Sequence, residues 1–252
     1  MPIAPTELKR YDREVTTALK AIGNAAFGKT VQADRGSQLT HLGIRFPALR
    51  ARVKQGFSFY TLDDAAVLQV WDGLWRSSPV GDVLFAALEF YAPRLRKGVS
   101  AERVNEWWLV MRTWSARIDN WCHADALCAV YSRLLAADQK RVLPQLEQWN
   151  REQSEWLRRI SLVSLIHYSG KNAVFLPPAK VLPQVARCVP DHRRNVETAV
   201  GWVLREMAQV VPQEVVQFIE QHAPHMSAAA LSRATEKMSA VERGRLRGLR
   251  KV

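Results

Sequence analysis

Apolar residues recur along most of this chain at steps of three and four, which is the spacing of one face of an α-helix. The first stripe lies between Glu7 and Ala26 and consists of Leu8, Tyr11, Val15, Ala18, Leu19 and Ile22. No segment alternates apolar and polar residues convincingly over the length of a strand. The periodicity therefore restricts the chain to an all-α fold.

The same pattern predicts roughly a dozen helices joined by short connections. Gly28 is predicted to end the first helix, the stretch Thr61-Leu62-Asp63-Asp64 to begin another as a capping box, and Ser78-Pro79 to open the next. Further helices are predicted over Ser100–Trp114, Ile118–Leu135, Lys140–Gln148, Ser154–Tyr168 (ending at Gly170) and Arg194–Val211, with Ser227 and Ser239 as caps of two last ones.

Antiparallel pairs of such helices stack into an α-solenoid, or superhelix, which has a continuous core and a concave face. We expect that face to be basic, and a closed helical bundle is the alternative architecture. Residues 1–252 are interpreted as a single domain with a basic tail from about residue 240 to 252.

The charge balance favours a polyanionic partner. Lysine and arginine number 36 against 24 aspartate and glutamate residues, which gives a formal net charge of +12. Nucleic acid is the commonest polyanion that such a protein binds. A generally basic soluble protein is the alternative interpretation.

The cysteines and the hydropathy pattern indicate the compartment. Cys122, Cys128 and Cys188 are odd in number and form no disulfide framework, which fits a reducing cytosol. No signal peptide is expected, and no apolar stretch approaches the roughly 18 residues that a membrane span needs. We expect a cytoplasmic monomer that does not enter a membrane.

The stretch from Asp119 to Asp125 has the most specific chemical signal. Trp121 and Asp125 are four residues apart, so a helix places the indole and the carboxylate on one face. A flat aromatic ring beside a fixed negative charge is suited to holding a cation. A packed indole beside a solvated acid is the alternative interpretation of this spacing.

A second tryptophan lies in a helix with a clear core face. That face is formed by Val196, Val200, Val203 and Met207. Trp202 and Arg205 lie on another face, so they are candidates for contact with a ligand rather than for the core.

Arginine pairs precede or accompany these helices. Arg158 and Arg159 follow Trp156, and Arg193 and Arg194 precede the Trp202 helix, where they can reach a nucleic-acid backbone. A solvated basic face is the alternative for such pairs. We expect the three helices that carry Trp121, Arg159 and Trp202 to face one binding surface.

Metal and nucleotide-cofactor sites are not indicated. Cys122 and His123 are adjacent and point in different directions on a helix, and Cys128 does not complete a zinc spacing. No phosphate-binding glycine loop and no nucleophile elbow are present. We expect no metal and no cofactor.

Four stretches match one known set of motifs. Ala199-Val200-Gly201-Trp202-Val203-Leu204-Arg205-Glu206 is very close to A-[IV]-G-W-x-L-R-E, and Asn120-Trp121-x-x-x-Asp125 is similar to W-D-x-x-D. Trp156-Leu157-Arg158-Arg159 is like W-x-x-R, and Leu42-Gly43-Ile44 with Pro47 and Arg50 is like L-G-[IV]-x-x-P-x-x-R. The chain thus resembles the AlkD-like family of DNA alkylation repair glycosylases.

The resemblance implies a fold of HEAT-like helical repeats and hydrolysis of the N-glycosidic bond of alkylated purines. It implies that Asp125 is the catalytic carboxylate, that Trp121 and Trp202 are aromatic walls, and that Arg159 contacts the DNA backbone. Cys122 stands where the family usually has a second aspartate, and Thr198 stands where lysine is common.

Two further departures lie near the N-terminus. Asp34 and Arg45 stand where some members of the family carry aromatic or amide contacts to DNA, which makes Arg45 a candidate DNA contact here. These departures put the substrate range in question and leave Trp121, Asp125 and Trp202 intact.

The sequence-based hypothesis is a monofunctional glycosylase of base excision repair that removes cationic N3- or N7-alkylated purines from duplex DNA, bulky adducts included. One alternative is a non-catalytic helical-repeat protein that binds distorted or branched DNA. A further alternative is a helical scaffold for a protein partner.

Overall fold

The computed structural model describes residues 3–168 and 176–251 and consists of α-helices packed on α-helices. The helices are α1 (Pro5–Lys20), α2 (Ala25–Arg35), α3 (Phe46–Gln55), α4 (Asp64–Ser77), α5 (Gly81–Arg96), α6 (Ala101–Met111), α7 (Trp121–Ala137), α8 (Gln139–Trp149), α9 (Glu155–Tyr168), α10 (Pro178–Cys188), α11 (Arg194–Met207), α12 (Pro212–His222), α13 (Ala228–Ala234) and α14 (Ala240–Gly248). Within these ranges the one extended pairing is a bridge between Thr40 and Val80. The all-α prediction is confirmed.

The helix starts follow the capping chemistry of the sequence. The hydroxyls of Ser227 and Ser239 accept hydrogen bonds from N–H groups of the first turns of α13 and α14, as predicted. At α4 the cap is Asp63, which accepts from Ala66 N at 2.7 Å. The capping box was therefore predicted two residues too early, at Thr61.

The role predicted for Gly28 is wrong. The first helix ends at Lys20, and a second helix begins after Asn24, whose side chain caps it by accepting from Phe27 N. Gly28 lies inside this second helix, where a Cβ atom would approach the carbonyl oxygen of His41 to 2.3 Å. The glycine therefore permits close contact between α2 and the following loop, because any side chain there would collide with backbone.

The chain forms two compact units, Met1–Val130 and Tyr131–Val252. The core of the first unit is rich in aromatic rings, and Trp107, Trp108 and Trp114 are buried in it. The indoles of Trp75 and Trp114 stack with ring centres 4.6 Å apart. Ring stacking of this kind adds to the stabilisation that comes from burial of apolar area.

The second unit is organised around α11, which packs against α9 and α13. This helix ends at Met207, four residues before the predicted end at Val211. Pro212 explains the difference, since the residue before a proline is disfavoured in helical conformation and Pro212 itself begins α12. The predicted end of α9 at Gly170 lies outside the described residues.

The C-terminal basic run is folded rather than extended as a tail. Its residues form α14 and a final 3₁₀ turn at Leu249–Lys251. Arg245 pairs with Glu220 at 2.6 Å, and Arg250 donates to the carbonyl of Met226. These bonds attach the run to α12 and to the segment before α13.

Within residues 3–168 and 176–251, no helix combines the length and the apolar character that crossing a membrane requires.

Candidate active site

The first turn of α7 is fixed by Asn120. Its side-chain oxygen accepts a hydrogen bond from His123 N at 3.0 Å, and its carbonyl accepts from Ala124 N at 3.1 Å. Asparagine is among the strongest N-cap residues because its side chain satisfies an N–H group that has no partner within the helix. The cap determines that the helix begins at Trp121, the first candidate residue.

A buried histidine extends this cap into the core of the first unit. The Asn120 amide donates to His123 Nδ1 at 2.6 Å, so His123 Nε2 carries the hydrogen and donates to Gly81 O at 2.9 Å. Burial, and after it the neighbouring charges of His41 and Arg35, lowers the pKa of His123 to about 3. The ring is therefore neutral and attaches α7 to the start of α5.

Asp119, which directly precedes the cap residue Asn120, also helps to fix the start of α7. Its carboxylate accepts hydrogen bonds from the Ser37 hydroxyl at 2.9 Å, from Gln38 N at 2.8 Å and from the Asn120 amide at 2.7 Å. Although burial opposes the effect, these three donors lower the pKa of Asp119. The carboxylate is ionised and joins the loop after α2 to the start of α7.

We expect acid to destabilise the protein through His123. The unfolded chain protonates this histidine near pH 6.5, whereas the folded protein does so near pH 3, so its contribution is fully present above pH 6.5 and is lost as the pH falls. At about pH 5 the loss amounts to about 2 kcal/mol. His123→Gln keeps a donor and an acceptor but does not titrate.

Urea unfolding of wild type and His123→Gln at about pH 7.5 and about pH 5 measures this difference. The variant should lose less stability between the two pH values. His41 stacks on His123 at 5.5 Å and has a pKa lowered to about 4, chiefly by burial, so its own contribution persists in the variant. Equal losses in both proteins would contradict the assignment.

Trp121 and Asp125 lie on consecutive turns of α7. Trp121 is 42% exposed, whereas Ala124 and Leu127 on the adjacent face are fully buried. Asp125 is half-buried at the edge of this core face. An indole with this much open surface does not fit the interpretation of a packed core residue.

Cys122 stands at the position of the second aspartate of the family motif but does not supply the negative charge of that aspartate. Burial raises the pKa of its thiol, and the charge of Arg35 opposes this effect only partly. The thiol is therefore neutral at physiological pH. Cys122 therefore adds no negative charge to these turns.

In the second unit, Arg159 is 5% exposed and connects α9 to the start of α11. Its guanidinium donates to Asn195 O at 2.9 Å and to Thr198 Oγ1 at 3.1 Å. Thr198, which stands where relatives commonly have lysine, thus accepts a bond from an arginine of the neighbouring helix. A phosphate contact by Arg159 stays a prediction, and its low exposure does not favour one in this conformation.

Arg158 and Arg193 converge on one carboxylate. Asp191 accepts from Arg158 at 3.1 Å and from Arg193 at 2.6 Å. The hydrogen bond from Arg193 is the main cause that lowers the pKa of Asp191. Arg193 is exposed and keeps part of its surface open, as does Arg194, the first residue of α11.

Trp202 lies off the buried face of α11, as predicted, and is half-buried. Its ring meets that of His167 edge-on, with centres 6.3 Å apart. Arg205, one turn further, pairs with Glu206 at 2.8 Å and with Glu236 at 2.7 Å. Packing within the protein therefore covers part of the Trp202 indole. Arg205 already has two carboxylate partners.

Gly201 explains why α11 can carry Trp202 so close to α13. A Cβ atom at Gly201 would lie 2.5 Å from Ala230 O and 2.8 Å from Arg233 Cβ. The Gly-Trp pair of the motif thus combines a close helix crossing with an aromatic ring at its side.

The structure assembles the candidate residues within each unit. Trp121 and Asp125 share the start of α7, and Arg159 and Trp202 lie on the packed pair α9 and α11. Sequence reasoning missed Asn120 and His123 as the residues that fix α7. The signal for Asn120 was present, because asparagine directly before a helical pattern indicates a cap.

Comparison with solved structures shows that this all-helical fold is shared by other proteins. A structure described as "Predicted DNA alkylation repair enzyme from Enterococcus faecalis" matches with a TM-score of 0.69 at 16% identity, over 86% of this chain and 97% of that one. AlkD2 from Streptococcus mutans matches with a TM-score of 0.59 at 16% identity, over 97% of each chain. The Pseudomonas fluorescens alkylpurine DNA glycosylase AlkC, bound to DNA containing an abasic site analog, matches with a TM-score of 0.56 at 15% identity, over 96% of this chain and 65% of that one.

The sequence pattern of the DNA alkylation repair enzyme family matches residues 14–238. The protein belongs to this family. No curated protein sequence matches the chain.

Proposed function

We propose that the protein is a DNA glycosylase that hydrolyses the N-glycosidic bond of N3- or N7-alkylated purines in duplex DNA. The observation that carries the proposal is the pair formed by the exposed indole of Trp121 and the carboxylate of Asp125, on helical turns fixed by Asn120. In the second unit, helix α11 carries the family motif and its Trp202.

The chemistry of the lesion suits a single carboxylate. An N3- or N7-alkylated purine is positively charged and leaves as a neutral base, so no acid is needed to protonate it. Its departure leaves an oxocarbenium-like sugar, the species that carboxylates stabilise in glycoside hydrolysis. We assign Asp125 to stabilise this developing charge and to orient the attacking water.

An indole attracts the cationic base before it departs. Cation–π attraction contributes roughly 0.5–2 kcal/mol per ring, more where water is excluded. Trp121 presents an open surface rather than the wall of a closed cavity, and this supports the acceptance of bulky adducts. We propose that Trp202 supplies the second aromatic contact.

DNA binding is proposed from the charge and from the exposed arginines. The net charge of +12 favours a polyanion, and the related fold of AlkC holds DNA in its solved structure. Arg194 and Arg45 have exposed side chains and are proposed as direct phosphate contacts. Arg193 is also exposed but pairs with Asp191 at 2.6 Å, so we propose that it holds the start of α11 in position. Arg158, Arg159 and Arg205 are engaged by protein groups, so we propose that they act on DNA by holding α9 and α11 in place.

The proposal predicts release of free methylated bases. Wild-type protein incubated with methylated duplex DNA should liberate N3-methyladenine or N7-methylguanine, identified by mass analysis of the small-molecule fraction. Unmethylated duplex of the same sequence serves as the control and should yield no base. Absence of any methylated base from the protein-treated duplex, above the level of spontaneous loss, would exclude the glycosylase.

A non-catalytic DNA-binding role is the second candidate. The neutral thiol of Cys122 in the place of a second acid favours it. This role predicts binding without base release, with affinity that falls steeply as salt rises. A gel-shift series in salt separates both DNA-binding roles from a protein scaffold, which would show no binding to DNA at physiological salt.

A further inference from the structure

A cavity of about 350 Å³ in the first unit lies between α2, the loop from Leu42 to Arg45 and the start of α3. Its walls are mostly apolar and include Phe27, Ile44 and Phe85. A volume of this size is at the lower end of the range for small-molecule sites. It suits a ligand the size of a nucleotide and is too small for a folded segment.

Two arginines place positive charge at this cavity. The guanidinium of Arg35 lies 5.1 Å from the ring centre of Phe85, and that of Arg45 lies 5.1 Å from the ring centre of Phe27. Arg35 also donates to His41 Nδ1 at 3.1 Å. Neither guanidinium forms an ion pair with a carboxylate of the described residues, although the charges of Arg35 and Asp82 attract each other at longer range.

Arg50, in helix α3, provides a contrast to Arg35 and Arg45. Its guanidinium lies 5.7 Å from the ring centre of Phe46 but pairs with Glu89 at 2.9 Å. The stacking on a phenyl ring is thus shared by all three arginines, whereas the missing carboxylate distinguishes Arg35 and Arg45.

The N-terminus of α3 adds a third positive element. This helix of ten residues begins at Phe46, and Arg45 at its N-cap provides no side-chain acceptor for the first turn. The N-terminal end of a helix carries a partial positive charge and N–H groups that point outward. Arg45, Phe46 and Pro47 line the cavity, so this end of the helix is part of its wall.

The one acid in the cavity lining, Asp82, is occupied by backbone. Its carboxylate accepts hydrogen bonds from Leu42 N, at 2.7 Å, and from Ile44 N. Gly43 between them has a φ of +70°, and a Cβ there would lie 2.2 Å from Asn24 O. Asp82 therefore holds the loop in the shape that forms the cavity, and its oxygens are directed to the loop N–H groups.

We infer that this cavity binds the phosphate of a nucleotide, with Arg35, Arg45 and the first turn of α3 around the phosphate oxygens and the sugar or base against the phenyl rings. Guanidinium groups match the geometry of phosphate oxygens and form strong charge-assisted hydrogen bonds with them. The assignment of the ligand to DNA builds on the proposed function, whereas the pocket itself does not.

The cavity shares its surroundings with the start of α7. The charges of Arg35, Asp82 and Asp125 all act on the thiol of Cys122, which lies between Trp121 and Asp125 along the helix. Phe85, which lines the cavity, has its ring centre 4.1 Å from that of His123 in the first turn of α7, so the pocket adjoins that turn. The pocket assigns a binding role to Arg35 that no sequence motif indicated.

Titration calorimetry tests the pocket on the intact protein. Deoxyadenosine 5′-monophosphate should bind, and deoxyadenosine, which lacks only the phosphate, should bind about tenfold more weakly or worse. Arg35→Gln and Arg45→Gln should each weaken the nucleotide by about tenfold, whereas Arg50→Gln should leave it unchanged. Arg35→Gln removes the hydrogen bond to His41 and can disturb that residue. Arg45 is exposed, so Arg45→Gln tests the pocket without this effect.

Equal affinity for the nucleotide and the nucleoside, or wild-type affinity in both Arg35→Gln and Arg45→Gln, would overturn the inference. Nucleotide binding without base release would support the pocket and exclude the glycosylase. Base release without nucleotide binding would support the glycosylase and exclude the pocket.

Two duplexes identify the source of the phosphate. If the ligand is an internal phosphate, replacing it by a single neutral methylphosphonate should weaken binding of the duplex to the wild-type protein. Arg35→Gln should then cause no further loss of affinity for this modified duplex. If it is a terminal phosphate, Arg35→Gln should weaken only a duplex with phosphorylated 5′ ends.

Discussion

The Asp125→Asn variant is expected to release methylated purines at least about 100-fold more slowly than the wild type, because removal of one group that stabilises charge in a transition state typically costs this much. Asparagine has nearly the same shape, so packing at the edge of the α7 core face should be preserved. The loss should appear in the rate of the chemical step and leave DNA affinity near that of the wild type.

Single-turnover release of N7-methylguanine from a duplex measures the rate, and fluorescence anisotropy measures DNA affinity. Glu102→Gln is the matched control, since it removes one exposed carboxylate from the first turn of α6 and changes the net charge equally. Thermal unfolding of both variants verifies that the fold is intact. A rate for Asp125→Asn equal to that of the wild type would remove this carboxylate from the mechanism.

The second large effect concerns stability. Trp114→Ala should lower the free energy of unfolding by about 3–5 kcal/mol, the usual cost of truncating a buried tryptophan. Its indole is fully buried, stacks on Trp75 and donates to Asp72 Oδ1 at 2.8 Å. The carbonyl of Trp114 accepts a hydrogen bond from Trp75 Nε1 at 3.0 Å. The variant would therefore leave a cavity directly beside the Trp75 ring.

Urea unfolding of the full chain provides the measurement. Leu109→Ala is the control, because Leu109 is an apolar residue of the neighbouring helix α6 that is 50% exposed. The control should change stability by less than about 1 kcal/mol. A similarly small change for Trp114→Ala would show that the stacked pair does not anchor this core.

The helical period was sufficient to predict the fold class and the face on which each candidate residue lies. Trp202 was predicted to lie off the aliphatic stripe of α11 and is half-buried there. Trp121 and Asp125 were predicted to share one face of a helix, and they lie on consecutive turns of α7. Both predictions depend only on residues within four positions along one helix, which is the range over which the period is informative.

The partners of the arginines could not be predicted in this way. The sequence shows Arg159 as half of a basic pair, but its acceptors on Asn195 and Thr198 are contributed by another helix. Similarly, the sequence shows Gly28 as a helix end, whereas its small size is required by the carbonyl of His41. Such contacts depend on how the helices pack, and a local pattern contains no information about this. Whether the exposed arginines form a basic concave face stays a prediction.

The start of α7 is held by the Asn120 cap and by a hydrogen bond from His123 Nε2 to the carbonyl of Gly81, 42 positions away in the chain. We expect a carboxylate on a helix start anchored in this way to move little toward a damaged base. If Asp125 is the catalytic group, the duplex has to supply the movement, by bending or opening until the sugar of the lesion reaches it. The flexibility of the DNA around a lesion, rather than of the enzyme, would then govern how readily it is repaired.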